Sequence, residues 1–216
     1  MIVYDFFSGT GSSTQAFRDA GHTVITFELD TAFVASENVN VLSLKAEDLI
    51  KKYGRPDFIW ASPPCTAFSV ASMGHHWING GEFPTPRTEA AVLSQILVAH
   101  TLNLIADLDP RHGWLMENPR GMLRKLPVVR PYPRQTVTYC QYGDDRMKPT
   151  DLWGAVKNWV PRLMCKNGMP CHVSAPRGAQ TGTQGISTAA ERSRVPYELG
   201  QEILGAIESN VREGRK

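Results

Sequence analysis

Cys65 and Glu117 are the two side chains of this sequence best placed to do chemistry. Cys65 stands in Ala61-Ser62-Pro63-Pro64-Cys65-Thr66-Ala67-Phe68-Ser69, directly after the apolar run Phe58-Ile59-Trp60. That run reads as a short buried strand. Two prolines stiffen the backbone leaving it, because each fixes its own φ and restricts the residue before it. A thiol held on a stiff turn at a strand's end is positioned to act as a nucleophile. Taken alone, the same cysteine also reads as a small buried hydrophobe. Glu117 closes a second apolar run, Trp114-Leu115-Met116, which predicts another strand. A carboxyl at that tip can hold or deliver a proton beside a thiolate.

The elements that must position these two groups follow from the pattern along the chain. Residues 2–7 predict a strand, Ser8-Gly9-Thr10-Gly11-Ser12 a turn, and Ala16, Phe17 and Ala20 a helix stopped by Gly21. Strand, glycine turn and helix open a nucleotide-binding α/β unit: the glycines permit close backbone approach and helix-N-terminal amides face the ligand. The pattern is not GxGxxG, and many tight turns share it. Residues 23–27 predict a second strand ending in Glu28 and Asp30, where a carboxylate can accept hydrogen bonds from ribose hydroxyls or simply face solvent.

Residues 32–38 then read as a short helix, 41–44 as a third, edge-like strand, and 46–53 as a helix with Glu47 and Asp48 in its first turn, which suits the helix dipole. The Cys65 strand is the fourth. Residues 70–87, rich in Gly, Pro, His and Asn, form a loop long enough to suggest function or disorder. Residues 88–108 have the spacing of an amphipathic helix, with Val92, Leu93, Ile96, Leu97, Leu104 and Leu108 as its apolar stripe. The Glu117 strand is the fifth, and residues 135–139 and 150–153 make two more. Residues 156–194 are irregular, and a helix over 196–210 closes the chain. Without internal repeats or linkers, residues 1–216 read as one α/β domain of seven strands.

Composition bounds the class. The chain has 216 residues, 42% hydrophobic and 20% charged, ordinary for a globular protein. The start Met-Ile-Val-Tyr-Asp is no signal peptide, and no apolar run approaches membrane-spanning length, so no membrane partner is expected. Four cysteines are too few for a disulfide scaffold, which suggests a reduced, cytoplasmic setting. The net charge of +2 is unevenly spread. Residues 1–60 hold five Lys/Arg against eight Asp/Glu, whereas residues 111–134 and 157–194 each hold six against one. An acidic half suits a small cofactor and basic segments suit a polyanion, although charge alone equally describes a solvated loop surface.

Four stretches, in this order, resemble the motifs of the DNA (cytosine carbon-5) methyltransferases. Phe7-Ser8-Gly9-Thr10-Gly11 resembles the first motif, and Pro64-Cys65-Thr66-Ala67-Phe68-Ser69 the nucleophile loop, with Thr66 where the family more often has Gln. Glu117-Asn118-Pro119-Arg120-Gly121-Met122-Leu123 is similar to the Glu-Asn-Val segment, with Pro119 in place of Val. Tyr142-Gly143, followed by Arg146, Lys148 and Thr150, is similar to the Gln-x-Arg-x-Arg segment, with lysine at the first arginine and the second missing.

The resemblance implies a Rossmann-like S-adenosylmethionine-dependent methyltransferase fold with a mostly parallel seven-stranded sheet. It implies that Phe7, Ser8, Gly9, Thr10 and Gly11, with Pro63 and Pro64, line the cofactor, that Glu28 binds its ribose, and that Asp48 meets its adenine amine. It further implies Cys65 as nucleophile, Glu117 as acid on cytosine N3, and Arg120 and Lys148 as partners of base or phosphate. Carbon 5 of cytosine is too weak a nucleophile to attack a methyl sulfonium. Addition of a thiolate to carbon 6 makes the ring an enamine whose carbon 5 attacks. The base must leave the duplex to reach such a pocket.

Family members usually carry a separate target-recognition domain, and here only the insert at about 155–194 takes its place. A compact chain of this kind resembles members carried by phages, implying a bacterial or phage-infected host cell. So small a recognition surface suggests a short target of about two to four base pairs. Lys166 and Arg177 are the insert residues first in line to touch it. Cys165, Cys171 and His172 of the insert, with Cys140 before it, form a complete donor set for structural zinc. The Cys-x5-Cys-His spacing is unlike a standard finger, and buried free thiols, or His172 touching a phosphate, are the alternative readings. Two other readings of the whole chain stand beside DNA methylation. One is the same chemistry on RNA, since a related branch of the family acts on tRNA, and the other is a catalytically silent DNA-binding or regulatory homologue.

Overall fold

The computed structural model describes residues 1–166, 168–174 and 188–214. Its centre is a seven-stranded sheet in the order β3-β2-β1-β4-β7-β9-β8, built from β1 (Ile2–Phe6), β2 (Thr23–Glu28), β3 (Glu37–Asn38), β4 (Phe58–Ala61), β7 (Trp114–Pro119), β8 (Arg134–Thr138) and β9 (Pro149–Ala155). The pairs β1–β2, β1–β4, β2–β3 and β4–β7 are parallel, while β9 runs antiparallel to both β7 and β8. Two short strands, β5 (Trp77–Ile78) and β6 (Thr85–Pro86), form a separate hairpin. The mostly parallel seven-stranded α/β sheet expected from the sequence is present, as is a Rossmann-like methyltransferase architecture.

Both faces of the sheet are covered, which is why its central strands read as continuous apolar runs rather than alternating ones. Side chains still alternate. Tyr4, Phe6, Ile59, Ala61 and Met116 join one core with Val98, Leu102 and Ile105. Val3, Phe58, Trp60 and Leu115 join the other with Phe17, Leu199 and Ile203. The first core is roofed by α2 (Ala46–Tyr53) and α4 (Glu89–Leu108), the second by α1 (Gln15–Asp19) and α6 (Tyr197–Glu213). A helical turn, α3 (Met73–His76), precedes the hairpin, and α5 (Ala189–Ser193) precedes α6.

The structure corrects three readings of the sequence. Residues 32–38 are not a helix: the Asp30 carboxylate and carbonyl accept the amides of Ala32 and Phe33, closing a turn, and Glu37–Asn38 becomes the edge strand. Nor are residues 41–44 a strand. Asn40 accepts the Leu42 amide at 3.0 Å and winds Val41–Ser43 into a 3-10 turn that buries Val41 alone.

The third correction concerns α4, which buries Ala91, Ser94, Val98, Thr101, Leu102, Leu104, Ile105 and Leu108; Leu104 and Leu108 are buried as expected, while Val92, Leu93 and Ile96 are exposed. Apolar residues surround its first half, so periodicity could not choose the face. Ser94 and Thr101 tolerate burial by donating back to the carbonyls of Ala90 and Leu97, each at 2.7 Å. By length and composition alone α4 would suffice to cross a membrane, which the sequence reading did not anticipate. Its buried face packs on the sheet. Arg177 lies outside the described residues, and Lys166 is exposed.

Candidate active site

Strand register gathers the site. Phe6 pairs with Phe27 and Ala61, and Ala61 pairs with Met116. The next residues, Phe7, Glu28, Ser62 and Glu117, therefore stand at one level on or just after four parallel strands, along the carboxyl edge where open α/β sheets hold ligands. Because β9 is antiparallel, its start also lies there, and so does the end of β8. Lys148 and Tyr139 are thus delivered to the edge occupied by Glu117.

The glycine turn is tied to β2. Phe7 has φ 60, Gly9 φ 47 and Gly11 φ 67, so three left-handed residues bend the chain sharply over the sheet's edge. At Phe7 this is a conformation side chains seldom adopt, of the kind that clusters at functional sites. The Gly9 amide donates to Glu28 Oε2 at 2.8 Å, and Glu28 Oε1 accepts the amides of Leu29 and Asp30. A carboxylate offers about four lone-pair sites, so Glu28 retains capacity for one more donor. The Ser8 hydroxyl is buried without a partner among the described residues. Beneath the turn, Asp5 accepts from Ser13 (2.8 Å) and Thr14 (2.6 Å), and burial pushes its carboxyl up to about 6 against the pull of those two hydroxyls. An unfilled serine hydroxyl and a carboxylate with spare capacity fit a cofactor bearing polar and ribose hydroxyl groups. Asp48 sits exposed in the first turn of α2.

The Cys65 loop is held from three sides. Ser62 N donates to Phe6 O (3.0 Å), Asn118 Nδ2 donates to Pro63 O (2.9 Å), and the amides of Phe68 and Ser69 both close on Cys65 O at 2.9 Å. Trp77 stacks on Phe68 and donates its indole N–H to Ala67 O at 2.7 Å, so the hairpin braces the loop from outside. Gly121 fits because a Cβ there would lie 2.2 Å from Phe68 O, next to the 2.8 Å bond from Met122 N to that oxygen. Gly121→Ala is therefore expected to cost about 1–3 kcal/mol by overpacking. Urea unfolding checks this, and unchanged stability would mean the two segments are not in contact.

Glu117 is 5% exposed and accepts from the Tyr139 hydroxyl at 3.0 Å, with Lys148 Nζ 3.8 Å away. Burial and the Glu117 charge raise Tyr139 well above the ordinary phenol range, so it remains a donor. Lys148 Nζ lies 4.7 Å from the Tyr139 ring centroid and donates to Arg192 O at 3.1 Å. Arg146, 4% exposed, bonds Asp144 and the carbonyls of Glu191, Arg192 and Arg194, clamping the chain around α5 onto this edge. Arg120 is exposed, anchored by its amide to Pro149 O at 2.9 Å.

Burial raises the Cys65 thiol, Glu117's charge raises it further, and Lys148 and Arg192 pull it down. Arg192 and Tyr139 join this candidate site without having been singled out in the sequence, and Asn118 was named there only within the Glu117 segment, with no role given. Tyr139 was read as the last residue of the strand over 135–139, whereas β8 ends at Thr138 and Tyr139 opens the turn that follows. Arg192 lies forty-four positions from Lys148 and carried no local signal. Outside this edge, the Arg130 guanidinium lies 4.4 Å over the Phe83 ring, placing basic and aromatic groups on the residue 70–87 loop.

Cys140, Cys165, Cys171 and His172 also come together, their ligand atoms all within 4.8 Å of one another, a set that could hold a metal ion. The predicted groups therefore sort into two clusters, the edge with Cys65 and Glu117 and this thiol group at the end of β8.

A Rossmann-like sheet with a glycine turn, a cysteine loop and a glutamate on one edge defines a methyltransferase-type architecture. The sequence profile of the C-5 cytosine-specific DNA methylase family matches residues 1–126, and the chain belongs to that family. It is 29% identical over 220 residues to a probable DNA (cytosine-5)-methyltransferase of Frog virus 3 (isolate Goorha), covering 94% of this chain and 99% of that one. Among solved structures it is similar in fold to the methyltransferase EhMeth of Entamoeba histolytica, at 14% identity and TM-score 0.53, over 77% of this chain and 57% of that one. A Spodoptera frugiperda DNMT2 variant aligns at 18% identity and TM-score 0.45 over 78% and 57% of the two chains. The chain thus spans little more than half the length of these solved structures.

Proposed function

We propose that this protein transfers a methyl group from S-adenosylmethionine to carbon 5 of a cytosine in nucleic acid. The observation that carries the reading is the register Phe6–Ala61–Met116, which aligns the glycine turn, the Cys65 loop and Glu117 on one edge. S-adenosylmethionine supplies the electrophilic methyl group; Phe7 to Gly11, Glu28, Pro63 and Pro64 would hold it. Cys65, as thiolate, forms a bond to carbon 6, and the ring's electron density moves to carbon 5. Glu117 holds a proton at N3, and after transfer a base removes the carbon-5 proton and the bond to sulfur breaks. Tyr139 and Lys148 fix the Glu117 carboxyl, while Arg120 faces the incoming base or phosphate. In this reading residues 1–216 are one methyltransferase domain, whose insert at about 155–194 and loop at 70–87 choose a short target.

The family description and the frog virus relative name DNA, which makes duplex DNA the first substrate. RNA is a second reading, favoured by one observation: among the described residues between β9 and α6, α5 is the only regular element. Unpaired cytosine in a folded RNA can enter a pocket without the unstacking a duplex requires. Labelled S-adenosylmethionine offered with duplex DNA and, separately, with folded RNA is expected to mark 5-methylcytosine in one of them, read by bisulfite sequencing. Cofactor binding without label in either would overturn the proposal in favour of a silent nucleic-acid-binding homologue.

A further inference from the structure

The thiol cluster at the end of β8 has the dimensions of a closed tetrahedral metal site. Cys165 Sγ lies 3.1 Å from Cys171 Sγ and 3.3 Å from His172 Nδ1, and Cys171 Sγ lies 3.8 Å from both Cys140 Sγ and His172 Nδ1. Zinc–sulfur and zinc–nitrogen bonds of about 2.3 and 2.0 Å place tetrahedral sulfurs about 3.8 Å apart and sulfur and nitrogen about 3.5 Å apart. The spacing matches except at Cys165 and Cys171, whose sulfurs at 3.1 Å would move apart on binding. Adjacent Cys171 and His172 both reach the centre because the chain turns there, so the unusual spacing is no obstacle. All four cysteines of the chain are free thiols, and the other ring nitrogen of His172 is buried without a partner among the described residues. Among the described residues the ring's polar contacts are therefore sulfur alone.

The surroundings give the cluster a role. Thr138 at the end of β8 accepts the Cys165 amide at 2.8 Å, Gln141 Nε2 donates to Cys171 Sγ at 3.3 Å, and Val173 N donates to Asp145 O at 2.9 Å. Cys165, Cys171 and Val173 are thereby tied to Thr138, Gln141 and Asp145, along the connection that begins with Tyr139 and leads to Lys148. A segment with so little regular structure needs a staple to hold a fixed course.

We propose that Cys140, Cys165, Cys171 and His172 bind one structural zinc ion, which clamps Cys165, Cys171, His172 and Val173 onto the β8–β9 connection and so steadies Tyr139 and Lys148 beside Glu117. Four protein ligands leave no open position, so the ion is structural. Binding releases the three thiol protons to solvent, with His172 coordinating as neutral imidazole through Nδ1. The site stands on these residues whether or not the chain methylates cytosine.

The test uses the full chain purified without chelator from zinc-replete medium. Elemental analysis is expected to find one zinc per chain, released by a mercurial thiol reagent. Cobalt(II) exchanged into the site is expected to show sulfur-to-cobalt charge-transfer absorption and tetrahedral d–d bands. Cys171→Ala should lose the metal, whereas Cys65→Ala should keep it. Should Cys171→Ala fail to fold, the wild-type cobalt spectrum and its displacement by zinc decide the matter. A wild-type chain without zinc, or one with a Cys165–Cys171 disulfide, overturns the site. Hydrogen exchange over residues 139–148 is expected to quicken when zinc is removed. Zinc bound with exchange unchanged on its removal overturns the clamp.

Discussion

Cys65→Ser is expected to abolish methyl transfer while leaving binding of S-adenosylmethionine nearly intact. A serine hydroxyl is far harder to ionise than a thiol and cannot add to carbon 6 at neutral pH. The turn proposed to hold the cofactor is built on β1 and β2 and bonded to Glu28, so it does not depend on the Cys65 side chain. A second measurement identifies the attacking atom. A substrate with 5-fluorocytosine at the target should form a denaturation-resistant complex with the wild type, because fluorine replaces the proton whose loss releases the enzyme. Cys65→Ser should form none. An adduct mapped to Cys140, Cys165 or Cys171 would remove Cys65 from the mechanism and also contradict the zinc site.

What the sequence revealed follows the physics of each part. Strands buried on both faces show as apolar runs, so β1, β4 and β7 were legible, and with them the groups at their tips; β8 (Arg134–Thr138) and β9 (Pro149–Ala155) are more polar and showed only with shifted or shortened bounds. The two-residue edge strand Glu37–Asn38 was not legible, since both its residues are polar and it gains its pairing only from β2. The face of α4 was misread for the opposite reason, an excess of apolar residues. At the site, Cys65, Glu117 and Lys148 could be named from local patterns. Arg146 was read only as part of the segment similar to Gln-x-Arg-x-Arg, and it is buried on Asp144 and the carbonyls around α5. That contact joins residues more than forty positions apart, and periodicity carries no such information. The thiol cluster was the converse case: composition suggested it, and only the fold brought Cys140 to the other three ligands.

Glu117→Gln should reduce methyl transfer by about 10²–10⁴, the usual worth of a positioned acid or base, with little change in nucleic-acid affinity. Glutamine keeps the shape and can still meet the Tyr139 hydroxyl at Oε1, but it cannot move a proton to N3. The variant has a second consequence with the opposite sign. Burial is the largest influence raising the Cys65 thiol, and the Glu117 charge is the next. Removing that charge leaves Lys148 and Arg192, which pull the thiol down, less opposed. The thiol pKa should fall, more thiolate should exist at a given pH, and alkylation of Cys65 by iodoacetamide should quicken, its pH profile moving to lower pH. Slower transfer with faster alkylation separates loss of an acid from a disordered loop, which would also disturb the bonds that hold Cys65. Turnover near the wild-type value would reduce Glu117 to a support for that loop. Alkylation unchanged or slower would show that its charge does not act on the thiol.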